Sequence, residues 1–265
     1  MNTPATTEEA VVLREDQAGV TTLWLNRPRQ FIALSEEVLT ALQQELEDIA
    51  QNEAIRVVVL AAKGKAFCAG HDLKQMRASP SEEYYQDLFS QCSRMMMTIN
   101  QLPQPVIARV QGLATAAGCQ LVAACDLAVA ADTAQFATSG IRFGLFCSTP
   151  AVAVSRNLSR KKALEMLLTG DFIDAHTAEA EGLINRAVPP EQLDEAVQQL
   201  VEAILAKSAV AVRTGKEMFY KQIELGMTPA YEYASTVMAC NMMAKDALDG
   251  VQAFLDKRQP VWQHR

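Results

Sequence analysis

Lys63-Gly-Lys-Ala-Phe-Cys-Ala-Gly-His-Asp-Leu-Lys74 and Val110-Gln-Gly-Leu-Ala-Thr-Ala-Ala-Gly-Cys-Gln120 each read as a strand running into a helix whose first amides are free. Two such helix starts, brought together, can hold one oxyanion, because unsatisfied N–H groups and the helix dipole both favour negative charge. Upstream, Val20–Leu25 alternates and is rich in β-branched residues, the pattern of a half-buried strand. Arg56–Ala61 is a continuous apolar run of strand length, the pattern of a fully buried one. Between them Ser35 opens a stretch with Val38, Leu39, Leu42, Leu46 and Ile49 at helical spacing. Strand, helix, strand in that order predicts a layered α/β fold.

Downstream, Ser79-Pro80-Ser81-Glu82 predicts an N-cap Ser79 with Pro80 at the first helical position, and a helix to about Asn100. Val106–Val110 and Asp126–Ala131 read as strands, with an Ala-rich helix between them. From Thr149-Pro150 onward the pattern is helical: 150–157, 160–168, 177–181, 190–207, 209–225 and 229–255 with breaks. Thr149 and Thr228 each precede a proline, the order of a cap followed by N1. The chain divides on this reading into an α/β core, 1–190, and a helical region, 191–265. Met218, Phe219, Met227, Tyr231, Tyr233, Met238, Met242 and Met243 form a stripe in the latter, read as core or subunit interface, or else as a flexible acyl-chain pocket.

The composition narrows the function. A chain of 265 residues, 49% hydrophobic and 21% charged, is an ordinary globular balance. A formal charge of −7 argues against a general nucleic-acid binder, which needs a basic stripe. The six cysteines show no CxxC spacing and read as buried thiols. His71, His176 and His264 are scattered and make no metal motif. No run reaches the roughly 20 apolar residues of a membrane span. Met1–Ala10 carries no basic or Arg-rich leader, which predicts a cytoplasmic protein.

Lys65-Ala-Phe-Cys-Ala-Gly-His-Asp-Leu-Lys74 resembles the AFxAGxDxK loop of the enoyl-CoA hydratase/isomerase, or crotonase, superfamily. Four further segments resemble that family in the same order: Leu25–Pro28; Gln111–Cys119 with Cys125-Asp126; Leu168–Ala175 with Glu181–Asn185; and Asp246–Arg258. The resemblance implies an α/β, crotonase-like spiral core of ββα units with a C-terminal helical trimerisation region. It implies a homo-trimer or a hexamer made as a dimer of trimers, and an acyl-CoA thioester ligand. No tightly bound cofactor is implied, since coenzyme A enters as part of the substrate. Two backbone N–H groups would form the oxyanion hole, at positions matching His71 and Ala117. The substrate-binding positions carried over are Arg27, Ala66, Ala69, Gly70, His71, Asp72, Leu73, Lys74 and Lys257. Lys257 also reads as an ordinary solvated charge at a helix end.

Family hydratases use two glutamates. Here their positions match Gln120 and Gly140, neither of which exchanges a proton near neutral pH. Ser148 stands where other branches of the family carry Asp, but it reads first as a helix cap with Thr149; Cys147 reads first as a buried structural thiol and only second as a thiolate at a helix start. Gly144–Pro150 with Arg160–Met166 resembles the enoyl-CoA hydratase domain-containing proteins of the third type. Three functions follow as expectations. The first is an acyl-CoA lyase or isomerase of fatty-acid or related metabolism that works through the hole, with hydration disfavoured. The second is a silent thioester binder or assembly partner, and the third a structural oligomer without CoA. Gln120→Glu with Gly140→Glu is predicted to raise hydration of a short enoyl-CoA.

Overall fold

The computed structural model describes residues 10–265. Ten strands lie in two sheets, and the chain places them by a repeating rule. After the antiparallel hairpin β1 (Val12–Gln17) and β2 (Val20–Leu25) comes helix α1 (Glu36–Gln51). The chain then lays down strand pairs: β3 (Val57–Ala62) with β4 (Ala66–Cys68), β5 (Val106–Val110) with β6 (Leu113–Thr115), and β7 (Leu127–Ala131) with β8 (Gln135–Ala137). The first strand of each pair joins a six-stranded sheet of order β1-β2-β3-β5-β7-β10, and the second joins a four-stranded sheet of order β4-β6-β8-β9. Helices α2 (Leu73–Ala78) and α3 (Glu82–Gln101) follow the first pair, and α4 (Ala117–Ala124) follows the second. This is the expected spiral of ββα units.

After β8 the chain forms α5 (Ser148–Asn157), α6 (Arg160–Thr169), β9 (Ile173–Asp174), α7 (Ala175–Ala180) and β10 (Arg186–Val188). It ends in α8 (Leu193–Leu205), α9 (Ala209–Gln222), α10 (Met227–Met242) and α11 (Lys245–Leu255). Among the described residues no helix is long and apolar enough to cross a membrane.

The continuous apolar run of β3 has a simple cause: both faces are covered. Val58, Leu60 and Ala62 join the main core with Val38, Leu39, Leu42, Leu46 and Ile49 of α1. Val57 and Val59 face the other way, against Leu193, Ala196, Val197 and Val201 of α8. Ser35 caps α1 as its position predicts, accepting the Val38 N–H at 3.3 Å.

Several local expectations are corrected. Ser81, not Ser79, caps α3, because its hydroxyl accepts the Tyr84 N–H at 3.1 Å and leaves Pro80 outside the helix. Helix α5 begins at Ser148 with Cys147 at the cap and no side-chain cap bond, so neither Ser148 nor Thr149 caps it; Gly226, not Thr228, precedes α10. Five cysteines are buried, but Cys240 is exposed. The methionine and aromatic stripe is not core within one chain: Met227, Tyr231, Met238 and Met243 all stand exposed. Helix α9 is held instead by a charge. Lys216, buried, donates to the Asp126 carboxylate at 2.6 Å and to the carbonyls of Ile99 and Gln104 at 2.9 Å each.

Candidate active site

The two segments that decide the fold meet at the ends of β4 and β6. Gly70, with φ +93°, turns the chain out of β4, and a Cβ there would lie 2.9 Å from the Ala116 Cβ and 3.3 Å from the Ala117 nitrogen. Ala116 takes a positive φ of 53°, an uncommon conformation outside glycine, and its N–H donates to the Ala137 carbonyl at 2.9 Å. That turn presents Ala117 as the first residue of α4, ahead of the helix's own hydrogen-bond ladder. Gly118 lets α4 begin this close to β4, since a Cβ there would sit 2.0 Å from the Cys68 carbonyl oxygen.

Around His71 the backbone is bound on either side. The Gly70 carbonyl accepts the Leu34 N–H at 2.8 Å, and the Asp72 N–H donates to the Leu34 carbonyl at 3.3 Å. The Gly70 N–H points to the Cys68 sulfur at 3.4 Å. The His71 N–H has no partner among the described residues.

Both segments open onto a cavity of about 260 Å³. Ala69, His71, Ala116 and Ala117 line it, together with Leu73, Met76 and Phe89 of α2 and α3. The rest of the lining comes from Ser139, Gly140, Phe143 and the 145–150 segment. The lining is mainly apolar, and Phe143, Leu145, Phe146 and Leu73 are also exposed at the surface. Ser139 bonds Thr115 at 2.7 Å, and the Ser148 hydroxyl turns to the Phe146 carbonyl at 3.4 Å. The Cys147 sulfur accepts the Gly140 N–H at 3.3 Å; burial pushes the thiol pKa up, and that N–H offsets it only in part. A reactive thiolate is therefore not favoured there.

Of the residues singled out from the sequence, Ala69, His71, Leu73, Ala117, Gly140 and Ser148 come together at this cavity. Gln120 does not line it. It is 4% exposed, inside α4, with its Oε1 buried and unpartnered. Arg27 is set back against Asp72 at 3.7 Å, and Asp72 caps α2 by accepting the N–H groups of Lys74 and Gln75 at 3.0 and 3.2 Å. Ala66 gives its carbonyl to the Gln111 side chain at 2.9 Å. Gly70 and Lys74 adjoin lining residues without lining the cavity themselves, and Lys257, beyond the end of α11 with a positive φ of 55°, is not among the lining residues.

The aromatic wall was missed from sequence. Phe89 sits on an amphipathic helix where nothing distinguishes a cavity-facing ring from a core one, whereas Phe143 and Phe146, crowded with Leu145 in one short loop, were a readable signal. A second groove of about 410 Å³, between α9 and α10, is lined by Tyr233 and Met243 of the methionine and aromatic stripe and by none of the residues of the two loop segments. Among the described residues no set of three or more His, Cys, Asp or Glu is placed to hold a metal ion.

The sequence model for enoyl-CoA hydratase/isomerase matches residues 15–265. A solved enoyl-CoA hydratase from Mycobacterium smegmatis is 58% identical with a TM-score of 0.95, covering 96% of this chain and 99% of that one. The solved human enoyl-CoA hydratase domain-containing protein 3 is 42% identical, TM-score 0.92, with 95% and 100% covered. The rat protein named enoyl-CoA hydratase domain-containing protein 3, mitochondrial, is 44% identical over 257 residues, 97% of this chain and 86% of that protein. Its mouse, frog, human and zebrafish counterparts carry the same name. These mitochondrial relatives overturn the expectation of a cytoplasmic protein, which rested on Met1–Ala10, a stretch almost wholly outside the described residues. With one family model spanning nearly the whole sequence and close relatives at full length, the chain belongs to the enoyl-CoA hydratase/isomerase, or crotonase, family.

Proposed function

We propose that this protein binds an acyl-CoA thioester and acts on it as a lyase or isomerase of fatty-acid or related acyl-CoA metabolism, through a backbone oxyanion hole. The observation that carries the reading is the pair of amides, His71 and Ala117, brought together by the Gly70 and Ala116 turns at the head of an apolar cavity. Fixed N–H dipoles in a site with little water stabilise a developing enolate oxygen without reorganising, typically the largest single contribution to such catalysis. Arg27, Ala66, Ala69, Gly70, Asp72, Leu73 and Lys74 frame the approach of the coenzyme. Lys257, remote from the cavity within one chain, serves this role only if it reaches a neighbouring subunit. The division at 190 and 191, with the exposed α10 face making trimers or hexamers, belongs to the same proposal.

Two-glutamate hydration has no support here. Gln120 is a buried amide outside the cavity lining, Gly140 has no side chain, and Ser148 lacks a base among its partners. The same residues favour a second reading, a silent thioester binder. Calorimetry with acetyl-CoA and butyryl-CoA tests binding, and a panel of enoyl-, dienoyl- and malonyl-type thioesters tests turnover. Turnover that disappears in Ala117→Pro, which deletes one amide, is the expected result. A panel left wholly unchanged by a protein that binds butyryl-CoA sinks the enzyme in favour of the binder.

A further inference from the structure

Helix α11 packs little against its own subunit. Only Asp246 and Ala253 of its residues are buried, while Leu248, Val251, Phe254 and Leu255 stand exposed. What fastens it is the segment that follows, 258–265, which doubles back along the helix. Arg258 donates to the Asp249 carboxylate at 2.5 Å, and the Val261 N–H donates to the same group at 3.0 Å. The Trp262 ring packs over Gly250, where a Cβ would lie 3.2 Å from two ring carbons, and its indole N–H donates to the Ala206 carbonyl at 2.8 Å. Gln263 and His264 give their N–H groups to the buried Asp246 carboxylate at 2.7 and 3.0 Å, and the Asp246 N–H donates back to the Arg265 carbonyl at 3.2 Å. Nδ1 of His264 accepts the N–H of Ala209, the first residue of α9, at 3.2 Å. The segment thus ties α11 to the junction between α8 and α9.

Between the helix and this segment stands Lys257, with φ +55°, the left-handed conformation in which a helix end ordinarily carries glycine. Its N–H donates to the Phe254 carbonyl at 3.2 Å, and the Arg258 N–H donates to the Ala253 carbonyl at 2.9 Å, the bonding pattern of such an end. A lysine there is strained, and strain of this kind persists where the surrounding structure over-determines it, most often at positions with a task. We propose that 258–265 is a positioning strap: by docking α11 on its own subunit it fixes the direction in which Lys257 reaches out, toward the phosphates of a coenzyme bound by a neighbouring copy. The inference rests on Lys257 serving a neighbouring subunit, as proposed above. With the strap docked, α11 and Lys257 are fixed to the α8–α9 junction. With the strap released, the ammonium sits on a helix that almost nothing buries, and its contact with a phosphate is lost. Lysine stands where glycine would be unstrained because only the lysine carries the charge.

The test uses the full chain, with amide hydrogen exchange following α11 and calorimetry following acetyl-CoA. Trp262→Ala with His264→Ala should speed exchange of the α11 amides by about tenfold or more, leave those of α1 within about threefold, and weaken acetyl-CoA by about tenfold. His264→Asn should keep both near the parent, because its amide oxygen can accept the Ala209 N–H and Asn tolerates a positive φ. Lys257→Gly separates positioning from a merely structural role. Glycine relieves the strain and should leave α11 exchange unchanged or slower, yet weaken acetyl-CoA by about the same tenfold. In that background the Trp262 and His264 changes should cost no further affinity, since they act through the lysine. Unchanged α11 exchange in the double variant overturns the strap. A loosened α11 with affinity within about threefold of the parent, full affinity in Lys257→Gly, or a further loss in the Lys257→Gly background each overturns the positioning role and leaves the oxyanion hole standing. Failure of the parent to bind acetyl-CoA at all overturns the hole and the inference together.

Discussion

Gly140 lies so close to Leu145 that a Cβ on it would sit 2.6 Å from the Leu145 carbonyl oxygen, with the Cys147 sulfur at 2.7 Å. One obstacle is backbone and cannot rotate away. The Leu145 N–H in turn donates to the Gly140 carbonyl at 3.1 Å, so the loop is fastened over the position that the family resemblance matches to a hydratase's second glutamate. The expectation that Gln120→Glu with Gly140→Glu restores hydration is revised accordingly. The double variant should show no gain in crotonyl-CoA hydration, followed as loss of enoyl absorbance. Gly140→Ala alone should cost about 1–3 kcal/mol in urea unfolding, as overpacking does. A hydration gain in the double variant would show that the loop yields.

Lys216 is the only buried residue of α9, and its ammonium meets Asp126 together with two carbonyls. Asp126 also accepts the Val106 N–H at 2.6 Å and the Tyr220 hydroxyl at 2.8 Å. Lys216→Met leaves a buried carboxylate without its counter-charge and should destabilise the chain by about 3–5 kcal/mol. Adding Asp126→Asn should give less than the sum of the two single costs, because the residues share one network. Additive losses in denaturant titrations would contradict this coupling.

Burial pulls the His71 pKa below its ordinary 6.5, outweighing the Leu34 backbone, which favours the charged ring. Above 6.5 the ring is neutral folded and unfolded, and contributes no pH dependence. As the pH falls through 6.5 toward the folded value, the unfolded chain takes up a proton that the folded chain resists, so stability drops. The parent should therefore lose stability relative to His71→Asn across that interval, and run parallel to it above. Parallel curves throughout would place the ring in water.

Helix α10 has no buried residue, and Met227, Tyr231, Met238 and Met243 leave an apolar surface in water. A chain with the trimeric or hexameric assembly proposed above would cover it. Met238→Lys with Met243→Lys should shift sedimentation toward monomer and leave the spectroscopic signature of the α/β core unchanged. An assembly of unchanged size would move the contact to another face.

Much of this architecture was legible because it follows from periodicity and spacing. The five apolar positions of α1, the buried β3 and the Gly-rich exits at Gly70 and Gly118 each carry their structural reason in the residues themselves. The short strands β4, β6, β8 and β9, two or three residues each, carry too few alternations to be read, and they become strands only by pairing with one another. The caps failed where two candidates stood together, as at Ser79 and Ser81, since propensity alone does not choose between adjacent hydroxyls.

The sequence by itself determined the family and named the candidate site positions, His71, Ala117, Gln120 and Gly140, because these are properties of residue identity and order. Only the tertiary structure decided that Gln120 stays out of the cavity lining, that backbone occupies the space beside Gly140, and that the ring nitrogens of His71 are buried. Those are facts about distance between segments far apart in the chain. Such distances are set by how β4, β6 and the 144–148 loop pack together, and no local pattern encodes them.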